Sequence, residues 1–235
     1  MPGNTDWNDD HNHGTCCATI IGAIAKDSSL YAVKVLDSTN SGDSDWTVLG
    51  LMWAADNKMD IVSMSIWEPS GVETPDEALS VDIERAAQYC LGAGCLVVGI
   101  VGNGGSAPNH WVANYGRCPS VMGIGAIDAN KEWWPGSCYG PANLLPEQAV
   151  ELVAPGVKVP TLNRNHQNVR FTGTSAACPH VAAASALMKS ADAALTQLQR
   201  RQRLDATADD LLSPGRDDKS GNGLPNCYAA ISTGA

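Results

Sequence analysis

Three short segments hold residue types that can do chemistry together. In Gly173-Thr174-Ser175-Ala176-Ala177-Cys178-Pro179-His180, a glycine and a threonine lead a serine into an Ala-rich helical pattern. A serine there sits among backbone N–H groups that lack intrahelical acceptors, where the helix dipole favours negative charge. Those donors can stabilise an oxyanion forming beside the hydroxyl. In Val101-Gly102-Asn103-Gly104-Gly105 an apolar run enters a Gly-rich turn, and the Asn103 amide can add a further donor. His13-Gly14-Thr15 opens another helical pattern and offers an imidazole to take the serine proton. Each feature is weak alone, since a serine at a helix start is most often a cap and a lone histidine most often structural.

The elements that must position these residues follow from periodicity. Helices are predicted over 14–25, 46–57 (with Asp45 as N-cap), 76–92, 174–189 and 195–212. Strands are predicted at Leu30–Leu36, Ile61–Ile66, Cys95–Val101 and 121–126, with a further one at 150–154. Cys95–Val101 is continuously apolar, as in a strand buried on both faces. Strands alternating with helices imply an α/β fold, a mainly parallel sheet covered by helices on both faces. No repeat or linker divides residues 1–235, so one domain is expected.

Composition narrows the function class. The chain has 235 residues, 44% hydrophobic, and a net charge of −10. So acidic a surface, with no basic stripe, repels phosphate backbones, and no nucleic-acid partner is expected. No apolar run approaches the roughly 20 residues that cross a bilayer, so no membrane partner is expected either. Eight cysteines form no CxxC pair and demand no disulfide; no metal and no cofactor are expected. Residues 1–12 are polar and acidic, unlike a signal peptide, and no Asn-x-Ser/Thr sequon occurs, so residue patterns alone leave the location open.

Taken with their surroundings, the segments resemble a known family. GTSAACPHVAAASALM resembles the nucleophile segment of the subtilisin-like serine peptidases, HNHGTCCATIIGA their histidine segment, and IVGNGG the turn that presents their oxyanion-hole asparagine. SLYAVKVLDSTNSGDSDWTVLGLMWAADNKMDIVSMSI, SVMGIGA, SCYGP, ELVAPGVKV and GNGLPNCYAA resemble later landmarks in the same order, so the likeness covers residues 9–230. The resemblance implies a serine endopeptidase with Ser175 as nucleophile, His13 as general base and then acid, and Asn103 with the Ser175 N–H as oxyanion hole. It implies a protein or peptide substrate, a monomer, and secretion. Substrate would be lined by Ser63, Ser65, Ile66 and Trp67 on one side and Ile100, Val101 and Gly102 on the other, with an apolar side chain preferred before the cut.

The departures carry equal weight. The family's triad aspartate ends a central strand well upstream of the histidine, and only 12 residues precede His13, so that strand and its aspartate are expected to be missing. Asp6, Asp9 and Asp10 are too near along the chain to replace it, and Asp9 matches a local acidic position. A truncated member is the expectation, weakly active or inactive alone. The stretch from Gly22 to Leu30 lacks the Asn-rich loop that holds a calcium ion in relatives, so none is expected there. Trp67 stands where a glycine is usual and could narrow the cleft. A catalytically dead, peptide-binding relative is the alternative. A thiol or metal hydrolase built on His11, Cys16 and Cys17 is a remote third, and Cys178, as a rival nucleophile, is expected to pack in the core.

Overall fold

Leu96–Ile100 lies at the centre of the molecule because every one of its side chains is apolar or absent and fully buried, as a strand covered on both faces requires. The computed structural model describes residues 7–67, 80–105, 115–140 and 149–233. Four parallel strands form the main sheet in the order β1 (Ile61–Met64), β2 (Leu96–Ile100), β3 (Val121–Ile127) and β4 (Leu152–Pro155). The register sets Ile61 against Leu96 and Val97 against Val121. An antiparallel hairpin follows, β5 (Val159–Leu162) with β6 (Asn168–Phe171), which the sequence reading does not anticipate.

Helices cover both faces, as expected for this α/β fold. On one face Val98, Ile100, Met122 and Ile124 pack against α4 (Thr174–Ala191) through Cys178 and Val181. On the other face Val97 and Val121 pack with α2 (Ser44–Asp56) and α3 (Val81–Gly92) through Leu51, Ile83 and Ala87. The remaining helices among the described residues are α1 (His13–Ile24), α5 (Gln197–Ala206) and α6 (Cys227–Ser232). Residues 76–79, the expected start of α3, lie outside the described residues.

Three expectations are corrected. The N-cap of α2 is Asp43, whose carboxylate accepts from Asp45 N–H at 3.0 Å; Asp45 itself lies in the first turn. The helix expected over 195–212 spans only Gln197–Ala206, opened by a capping box in which Thr196 and Gln199 satisfy each other's backbone N–H groups. Leu30–Leu36 forms no strand. Its pattern suits a sheet, but strand structure needs a neighbour to complete the ladder, and no described strand lies beside it. A cavity of about 870 Å³ separates this segment from β1.

Candidate active site

Ser175 is the second residue of α4 and is hydrogen-bonded to Ser65, which directly follows β1. Gly173 precedes the helix with φ 143°, a backbone state L side chains rarely adopt, and a Cβ there would lie 3.3 Å from Asn103 Oδ1. The glycine therefore serves both the turn and the approach of Asn103. Asn103 follows β2 through Gly102, itself at φ 99°. Its Oδ1 accepts from the Thr174 N–H at 2.8 Å and the Thr174 hydroxyl at 2.9 Å. Two donors on the oxygen assign the amide orientation, and among the described residues Nδ2 has no acceptor. The Ser175 N–H has no acceptor among the described residues, as expected for a first-turn amide.

Pro179 shapes the site in a way the sequence reading overlooks. It stands four residues after Ser175 and has no N–H, so the Ser175 carbonyl receives no helical hydrogen bond. That carbonyl instead accepts from the Ser65 hydroxyl at 3.1 Å and the Cys17 thiol at 3.5 Å, tying α4 to the end of β1 and to α1. A proline four residues beyond a candidate nucleophile was the available signal.

His13 is the first residue of α1, one turn before Cys17 on the same face, and so is carried toward the start of α4. Its ring meets Phe171 edge-on at 5.6 Å. Burial holds its pKa below the ordinary value; His11 adds to this and Asp9 opposes it. A neutral imidazole is the form a base requires. Among the described residues no carboxylate hydrogen-bonds to His13, and the Ser175 hydroxyl donates to the Ser65 carbonyl at 3.3 Å.

The nearby acids are otherwise engaged. Asp9 accepts from the N–H groups of His11, Asn12 and Thr15 and from the Thr15 hydroxyl, at 2.6–2.9 Å, and so caps α1 in place of Asn12. Burial alone would raise its pKa, but these hydrogen bonds outweigh it and pull the carboxyl down to about 2. Asp10 pairs with Lys34. Asp6 lies outside the described residues.

The remaining candidates separate by burial. Ser63 reaches toward Cys178, with 3.6 Å between Oγ and Sγ, inside the sheet–α4 interface. Ile66 packs with the α2–α3 layer, and Trp67 is 36% exposed. Ile100 and Val101 are fully buried, with their side chains in the core clusters. Cys178 donates to Val98 O at 3.3 Å, and burial pushes its thiol up to about 11, unsuited to a nucleophile. Cys17 is likewise pushed up to about 12, chiefly by burial. Among the described residues no group of three or more His, Cys, Asp and Glu side chains could hold a metal ion.

The model of the subtilase family matches residues 2–223. The chain belongs to the subtilase family. It is 37% identical over 227 residues to the thermostable alkaline protease of Halalkalibacterium halodurans, covering 93% of this chain and 57% of that protein. It is 36% identical over 237 residues to subtilisin DY of Bacillus licheniformis, covering 97% and 79% respectively. Among solved structures, sphericase superposes with a TM-score of 0.81 at 25% identity, over 93% of this subtilase chain and 78% of the other. The chain therefore spans a little over half of the first relative's length. Among its described residues, no helix is long and apolar enough to cross a membrane.

Proposed function

We propose that this subtilase chain carries the acyl-transfer centre of a serine endopeptidase. The observation that supports it most is the oxyanion pair: the unpartnered Ser175 N–H at the α4 N-terminus and Asn103 Nδ2, freed because Thr174 holds Oδ1. His13 takes the proton from Ser175 Oγ as that oxygen bonds to the carbonyl carbon of the scissile peptide. The carbonyl oxygen gains the negative charge and is held by the two donors. His13 then gives its proton to the leaving amine as the C–N bond breaks, and water repeats the cycle on the acyl-enzyme. The substrate is a protein or peptide whose residue before the cut is apolar. Alone, the chain is expected to be a poor catalyst, because among the described residues no carboxylate hydrogen-bonds to His13.

Labelling with a fluorophosphonate tests this reading. The parent chain should be labelled slowly, and Ser175→Ala not at all; labelling that persists in Ser175→Ala, or is absent from a folded parent, refutes it. The alternative is a catalytically dead subtilase that binds peptides in the cleft. It is favoured by the Ser175 hydroxyl being hydrogen-bonded to Ser65 O. Saturable peptide binding with no labelling would select it.

A further inference from the structure

Helix α3 ends in a turn whose geometry brings two cysteines together. Gly94, at φ 89°, follows the helix in the left-handed state that glycine adopts without strain. The Cys95 N–H bonds to Cys90 O at 2.9 Å, and the Gly94 N–H to Leu91 O at 3.1 Å. This nested pair of bonds closes the helix and sets the side chains that flank it against each other. Here both are cysteines. The bond lengths on either side of the Cys95–Cys90 hydrogen bond hold the two Cα atoms within about 7 Å. Disulfides span roughly 4.4–6.8 Å between the same atoms.

The two thiols are hydrogen-bonded to each other. Cys90 also donates to Leu51 O at 3.2 Å, so the proton between the sulfurs comes from Cys95. That donor lowers the pKa of Cys90, against burial, which raises it. The same contact raises the pKa of Cys95, and burial adds to it. All the other described cysteines are raised above the ordinary thiol value, chiefly by burial. The thiolate is the reactive form, so Cys90 is suited to attack and Cys95 to resolve.

Both side chains are fully buried in the layer shared by α2, α3 and β2, but their cover is thin. Gly92, Ala93 and Gly94 are exposed, and a Cβ on either glycine would meet nothing within 4 Å. Opening this one turn admits a small molecule while the sheet stays intact.

We propose that Cys90 and Cys95 are a redox-active pair, oxidised by hydrogen peroxide to a disulfide that locks α3 to the start of β2. The Cys90 thiolate attacks one peroxide oxygen and the O–O bond breaks. Cys90 becomes a sulfenic acid, and the departing hydroxide takes up the Cys90 proton as water. Cys95 Sγ then bonds to Cys90 Sγ, the S–O bond breaks, and the second hydroxide leaves as water with the Cys95 proton. Two thiols have lost two electrons, and the peroxide has become two waters. A disulfide places no charge in this apolar layer, whereas a soft metal ion held by two thiolates would. Among the described residues no third His, Cys, Asp or Glu joins them as a ligand. The inference uses neither Ser175 nor His13 and does not rest on the proposed peptidase chemistry.

Trypsin isolates both thiols, with no other cysteine, in the peptide of residues 86–117, because no Lys or Arg lies between Arg85 and Arg117. The reduced native chain is treated with hydrogen peroxide, quenched with catalase, unfolded in iodoacetamide and digested. The peptide should be lighter by two hydrogens and carry no alkyl group, and dithiothreitol should reverse this. Its oxidation should be about tenfold or more faster than that of any other cysteine. The parent treated in urea should lose this selectivity, a readout that needs no variant. In Cys95→Ser, whose hydroxyl keeps a donor on Cys90, the reaction should stop at a sulfenic acid that dimedone traps. In Cys90→Ser, Cys95 should stay a thiol. Alkylation of both sulfurs after treatment of the folded parent overturns the proposal. So does earlier oxidation of another cysteine, a disulfide from either sulfur to a third one, selectivity that survives urea, or dimedone on Cys95 in Cys90→Ser.

Discussion

Ser65 and Ser175 exchange hydrogen bonds, each hydroxyl donating to the other's carbonyl oxygen, at 3.1 Å from Ser65 and 3.3 Å from Ser175. The first bond exists because Pro179 withholds the helical donor from Ser175 O. The second keeps the nucleophile's proton on main chain and away from His13. The two functions separate on mutation. Ser65→Ala should lower stability by about 1 kcal/mol, by leaving Ser175 O with the weak Cys17 thiol donor alone. It should change the labelling rate of Ser175 by less than tenfold, because the acceptor of the Ser175 hydroxyl is a backbone oxygen. Thermal denaturation and labelling kinetics on the same sample check both.

The Asn103–Thr174 contact yields a graded prediction. Asn103→Ala removes a donor aimed at the developing charge and should cost about 10²–10³ in the acylation rate. Thr174→Val keeps the N–H bond to Oδ1 and loses only the hydroxyl, so its loss should be much smaller. Equal losses would mean that Asn103 acts by holding the α4 turn and not by binding an oxyanion.

Asp9 makes stability pH-dependent at the acid end. Its folded pKa of about 2 lies below the unfolded value near 3.8, so the native state binds fewer protons and gains stability above that range. That gain is complete above about pH 5 and fades as pH falls from about 4 toward 2. Because the carboxylate is partly exposed, of order 1 kcal/mol is expected after solvent screening. Asp9→Asn should flatten the denaturation midpoint across this window.

A half-buried acid gives the opposite slope at higher pH. The Arg201 guanidinium meets Glu151 through two bonds of 2.6 Å, and the neighbouring Asp205 is pushed up to about 8 by burial and by the Glu151 charge. Its folded pKa lies above the unfolded one, so stability falls as pH rises from about 4 toward 8. Asp205→Asn should remove that slope in urea titrations. Arg201→Ala, which strands Glu151 in the interior, should cost about 3–5 kcal/mol, whereas a double apolar replacement of Arg201 and Glu151 should cost far less.

Much of this molecule is legible in its sequence. Continuous apolarity marked β2, Gly173 and Thr174 marked the turn into α4, and strands alternating with helices implied the parallel sheet. These are local properties, decided by side-chain periodicity and by the backbone states that glycine and proline allow. Element ends were less legible. The cap of α2 moved from Asp45 to Asp43 because either carboxylate could serve, and α5 ended early at Ala206.

What the tertiary structure alone decided depends on partners distant in the chain. Leu30–Leu36 has a strand's pattern, yet strandhood is a property of a pair, and across from it lies a cavity in place of a neighbour. Ile100 and Val101 stand next to Asn103 in the chain, yet their side chains are buried, because the sheet is covered on both faces. Ser65, Cys17 and Pro179 act together on one carbonyl oxygen although they come from β1's end, α1 and α4. No spacing rule links them; three elements must pack before that oxygen finds its donors. The residue types for acyl transfer are therefore written in the sequence, while the state of the Ser175 proton and the reach of any carboxylate to His13 are set by packing.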